Sequence, residues 1–129
     1  MPPLAQLQRV PLLLLQRLER QGVFTTGLLL EVSETRTRRQ TLADQIQATP
    51  NDVNEWRDEA LLLNLAGFGP DEQHTFNQAG IVGLHDLLAL DREAFAARLE
   101  RAARTLGLEP PTEVAIDGWY AQAQTLEEE

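Results

Sequence analysis

The chain resembles itself at long range. "NLAGFGPDEQHTFNQAGIVGLHDLLAL" (Asn64 to Leu90) lies over "QLQRVPLLLLQRLERQGVFTTGLLLEV" (Gln6 to Val32), each residue 58 positions beyond its counterpart. Leu65 matches Leu7, Phe68 matches Val10 and Phe76 matches Leu18. Gly80-Ile81 matches Gly22-Val23, and Leu87-Leu88 matches Leu29-Leu30. Apolar and glycine positions agree while most surface positions differ, the pattern of a duplicated supersecondary unit with a common core and different faces. A second match follows each copy. "DVNEWRDEALLL" (Asp52 to Leu63) lies over "AIDGWYAQAQTL" (Ala115 to Leu126), pairing Val53 with Ile116, Trp56 with Trp119, Ala60 with Ala123 and Leu63 with Leu126. The offset has grown to 63, so five residues are inserted in the second copy, expected around Gly107 to Pro111. Steps of 3, 4 and 3 residues put these side chains on one helical face, which makes both tryptophans core anchors.

Punctuation gives the helices. The first spans Pro11 to Gln21 and a short one Thr26 to Val32. A third begins after Thr37, with Gln40 completing a capping box, and ends near Gln47. Thr49 as N-cap, Pro50 at the first helical position and Asp52 in the first turn open a fourth, reaching Asn64. Pro70 to Gln78, Leu84 to Leu90, a helix from Asp91 to before Gly107, and one from Thr112 to Leu126 complete the set. No stretch sustains strand-like alternation, so the fold class is all-α.

A length of 129 residues suits one domain with one shared core. Within it we expect a first hairpin unit over 4–48, the Trp56 helix plus a second hairpin unit over 49–109, and a closing helix with an acidic tail over 110–129.

Chemistry is bounded by what the chain lacks. It has no cysteine, so disulfides and thiolate metal sites are excluded. It has no lysine, which removes Schiff-base chemistry and a phosphate-loop lysine. His74 and His85 are the only histidines and make no i, i+4 pair, so no metal and no cofactor are expected. No nucleophile, base and orienting group can be assembled, and the reading is of a non-enzyme. No apolar run is long enough to cross a membrane. Without a basic flank before an apolar segment there is no sign of a secretory leader, and a cytoplasmic location is expected.

Each copy places a turn between two helices and closes the second on a glycine, an arrangement that resembles helix-hairpin-helix (SAM-like) units. The order of parts narrows this: a hairpin unit ending in "GVFTT", then "TRRQTLADQI", a "V-x-x-W" helix, the "GFGP" unit and a closing "I-x-x-W-x-x-x-A" helix. Over residues 4–126 the array resembles the domain of unknown function 4332 family. The resemblance implies two tandem units sharing a core, each followed by a Trp-anchored helix. It carries no settled activity. Members of the family are common in cyanobacteria and related photosynthetic lineages, which implies a partner linked to photosynthetic machinery.

A helix-hairpin-helix grips DNA with backbone N–H groups at the hairpin and the next helix N-terminus, supported by basic side chains. In the second copy Gly67, Phe68 and Gly69 keep the turn, but Asp71 and Glu72 stand in the first turn of the next helix and repel phosphate. In the first copy the turn reads Arg9-Val10-Pro11, and Pro11 has no N–H to offer. The net charge of −9 adds to the argument against nucleic acid.

Leu12, Leu13 and Leu14 stand where the second copy has Pro70, Asp71 and Glu72. Leu15 and Leu18 form the natural inward pair. Leu13 and Leu14 are then covered by the N-terminal Pro2-Pro3-Leu4 or the last helix, or they face solvent as a contact site. Arg36, Arg38 and Arg39 form the one dense basic cluster; they pair with Glu34 and Asp44 or meet an acidic or phosphorylated partner. The expected function is protein–protein interaction through Leu12, Leu13, Leu14, Arg36, Arg38 and Arg39, with a second copy as one possible partner. Nucleic-acid binding is the alternative.

Overall fold

The computed structural model describes residues 2–126, so the acidic tail at Glu127 to Glu129 lies outside the described residues. It divides into two compact units, Met1–Asn64 and Leu65–Glu129. The protein is all-α. The helices are α1 Leu12–Arg20, α2 Thr26–Val32, α3 Arg36–Ile46 and α4 Pro50–Leu63 in the first unit, and α5 Pro70–Gln78, α6 Leu84–Leu88, α7 Arg92–Leu106 and α8 Glu113–Thr125 in the second. No strand occurs among the described residues, and none of their helices is long and apolar enough to cross a membrane.

The first unit begins with a 3-10 turn at Leu4–Gln6. The backbone just before it pairs with the α1–α2 connection: Leu4 N–H donates to Phe24 O at 2.9 Å and Thr26 N–H to Pro2 O at 3.0 Å. The N-terminus is thus tied to residues 24–26. α2 and α3 pack on α4, burying Leu29, Leu42, Ile46, Val53, Trp56 and Ala60. The sequence reading had grouped the Trp56 helix with the second hairpin unit; it packs here on α2 and α3. In the second unit α5 packs on α7, while α8 lies against α6 and α7. Phe76 sits at the centre of an aromatic cluster, edge-on to Phe68, Phe95 and Trp119 at centroid distances of 4.8, 5.7 and 5.3 Å.

The sequence correspondence recurs in backbone geometry. Gly22 and Gly80 both take left-handed φ, +84° and +80°. Each closes its helix with the same bonds: Gly22 N–H to Glu19 O and Val23 N–H to Leu18 O, against Gly80 N–H to Asn77 O and Ile81 N–H to Phe76 O. This double bond pattern satisfies the last carbonyls of a helix and requires a left-handed residue. Thr49 and Thr112 each cap a Trp-bearing helix by accepting the N–H three residues on.

Two expectations change. The third helix is capped by Thr35, which accepts Arg38 N–H, so it begins two residues earlier than a Thr37 cap allows. Thr37 lies inside the helix and Gln40 donates to Asp44, four residues on. The residues inserted in the second copy do not all lie in the loop. α7 has 15 residues where α3 has 11, the link from Gly107 to Thr112 is three residues longer than its counterpart, and α6 is two residues shorter than α2.

Candidate functional site

The first hairpin is built on α4. Its middle turn carries Arg57, Asp58 and Glu59, three ionisable side chains that are all buried. Burying charge is costly unless each group is bonded, and here each is. Arg57 donates to Leu30 O at 2.8 Å and Ser33 Oγ at 2.7 Å, serving the carbonyl end of α2, where positive charge is favoured. Asp58 pairs with Arg9 at 2.8 Å. Glu59, only 1% exposed, accepts the backbone N–H groups of Gln8 at 2.7 Å and Arg9 at 3.0 Å. Burial pushes the Glu59 carboxyl above its ordinary 4.5, against the two N–H groups and Arg9, which pull it down.

This carboxylate decides what the turn can do. A phosphate grip needs free backbone donors at the hairpin. At Gln8 and Arg9 a protein carboxylate already holds them. Pro11 follows as the N-cap of α1 and offers no N–H of its own. Sequence reasoning had found the proline but missed Glu59. The available signal was Glu59 itself, three residues after Trp56 and four before Leu63 and so flanking the apolar face.

The leucines after the turn separate. Leu12 is 69% exposed and Leu13 57%, while Leu14 and Leu15 are half-buried and Leu18 is buried. The proposed N-terminal cover does not reach Leu13, because Pro2 to Leu4 is tied to residues 24–26 instead. Phe24, Leu28 and Val32, spaced by four along α2 and its approach, are exposed as well.

The arginine cluster also divides. Arg39 is half-buried and donates to Ser33 O and Glu34 O, closing the end of α2. Arg38 reaches Glu31 O at 3.4 Å and Glu34 at 4.0 Å on an exposed face. Arg36 is exposed, with no side-chain partner among the described residues. Asp44 pairs with Gln40, not with an arginine. His74 and His85 are both exposed, and no group of metal-binding side chains forms among the described residues.

In the second unit Gly67 takes φ +74° and Gly69 is the N-cap of α5, while Phe68 turns inward to Phe76. The backbone of this turn is held by α8. Gln122 accepts Ala66 N–H at 2.9 Å, and Trp119 Nε1 donates to Ala66 O at 2.9 Å. Gln122 stands 63 positions beyond Glu59 and Ala66 stands 58 beyond Gln8, so the two copies use corresponding residues for the same task. A cleft of about 800 Å³ opens beside this turn, between the start of α5 and the segment from Leu108 into α8. No pattern along the chain signals it, because its walls are brought together only by the fold.

No curated protein and no solved structure matches the chain. The model of a family described as a domain of unknown function, DUF4332, matches residues 14–126. That span covers both tryptophan helices and every described residue of the second unit, leaving the Arg9 to Pro11 turn just outside. The chain belongs to this family.

Proposed function

We propose that the protein is a non-catalytic protein-binding module, of adaptor, scaffold or assembly-factor type. The observation that carries this reading is the state of the first hairpin. The backbone donors of Gln8 and Arg9 are held by Glu59, and Leu12 and Leu13, at the start of α1, are exposed apolar groups. A turn so arranged offers apolar surface where a phosphate grip offers N–H groups. Burying two leucines at a contact contributes about 3–6 kcal/mol before the costs of association. Arg36 and Arg38 add exposed positive charge on α3, suited to an acidic partner. Leu14 and Arg39 are half-buried, and Arg39 is engaged with the end of α2. The family resemblance suggests a partner connected with photosynthetic machinery, and a second copy of the chain is a further possible occupant.

The test is affinity capture from the source organism with wild type and the Leu12→Asp/Leu13→Asp variant, identified by mass spectrometry. Both side chains are solvent-facing, so the variant should keep its helical circular dichroism. Partners caught by wild type and lost by the variant support the reading. The same partners caught by both overturn it.

A further inference from the structure

We propose that the cleft of the second unit is a docking site for a basic peptide segment, one that sets arginine or lysine beside an apolar side chain. Its lining is largely apolar and includes Trp119, Pro111 and Val114, the last 82% exposed. Asp71, Glu72 and Glu109 supply carboxylates around it, and no basic residue lines it. None of these three side chains has an ion-pair partner among the described residues. The surrounding unit has the same sign: Leu65–Glu129 carries four arginines against twelve acidic residues, −8 of the total −9. An apolar surface ringed by unpaired carboxylates is complementary to a ligand that is both greasy and cationic.

The backbone favours a peptide over an isolated cation. In the first unit Glu59 has two oxygens and takes two consecutive N–H groups. Gln122, its counterpart, takes one at Ala66 through its single carbonyl oxygen. The next N–H, that of Gly67, has no acceptor among the described residues, and Gly67 lines the cleft. A peptide carbonyl completes this position while the basic side chain reaches Asp71 and Glu72. The site is independent of the leucine face of the first unit, so either can fail without the other.

The probe is a capped Arg-Leu-Arg-Leu-Arg peptide, titrated into the full chain and followed by ¹H–¹⁵N NMR. The expected result is saturable shifts of the Trp119 indole N–H and the Gly67 and Gly118 amides, with the Trp56 indole unmoved. Raising salt should weaken binding. The variant Asp71→Asn/Glu72→Gln/Glu109→Gln should bind about ten-fold more weakly or worse. Where that variant's own spectrum is altered, Glu109→Gln alone, outside any helix, should still weaken binding. A Glu-Leu-Glu-Leu-Glu peptide should not bind. Absence of shifts at millimolar peptide, equal binding by the variants, or shifts centred elsewhere overturns the proposal. So does movement of the same signals on protein dilution alone, which would make a second copy the occupant, or their movement with an oligonucleotide and not the peptide.

Discussion

Glu59 and Gln122 hold corresponding turns in different ways: the glutamate takes the N–H groups of both Gln8 and Arg9, the glutamine only that of Ala66. One carboxylate oxygen replaced by an amide nitrogen separates a bonded Arg9 N–H from a Gly67 N–H with no acceptor among the described residues. Glu59→Gln should therefore leave one part-buried N–H facing another donor. The expected cost is about 1–3 kcal/mol in chemical denaturation. A change under about 0.5 kcal/mol would show that the two bonds do not hold the turn.

The same residue sets a pH dependence. Burial raises the Glu59 carboxyl above 4.5, so the folded chain binds that proton more tightly than the unfolded chain. Its contribution to stability is then fully present below the ordinary value and falls as pH rises through the raised one. The stability advantage of wild type over Glu59→Gln should shrink as pH rises above 4.5. An advantage that grows with pH over this range would mean the bonds and Arg9 outweigh burial.

Gln47 is the one non-glycine residue with positive φ among those described, at +60°, and it ends α3 as Gly107 ends α7. A side chain in the left-handed region is strained. Gln47→Gly should raise stability by about 0.5–1 kcal/mol, the strain relieved exceeding the added chain entropy. A lower melting temperature would mean that the Gln47 side chain contributes more than its backbone costs.

Phe76 is fully buried and touches three other aromatic rings. Phe76→Ala should cost about 3–5 kcal/mol, with loss of near-ultraviolet circular dichroism from the second unit. A cost below about 2 kcal/mol would indicate that the cluster closes over the gap.

Much of this fold was legible because its signals are local. Thr49 caps α4 with Pro50 at its first position and Asp52 in its first turn, and α2 runs from Thr26 to Val32, both as read. Trp56 and Trp119 lie in their cores, as the 3-4-3 spacing required. Thr35 was missed in favour of Thr37 because both are threonines with a plausible follower, and only backbone geometry separates them. The bonds from Glu59 to Gln8 and Arg9 join residues about fifty positions apart, and periodicity carries no trace of such pairing. The cleft was hidden for the same reason: Asp71 and Glu72 read as helix-dipole partners, and only the fold places them beside Pro111, Val114 and Trp119. At the proposed contact, composition found the leucines, and the structure decided which of them face water.

Central to this account is that neither turn grips a phosphate backbone. An anisotropy titration at low salt, with labelled duplex DNA, single-stranded DNA and RNA, tests this most directly. The account predicts no saturable binding up to tens of micromolar protein. Micromolar binding that weakens steeply with salt, and is lost when Gly67 or Gly69 is replaced, would contradict it.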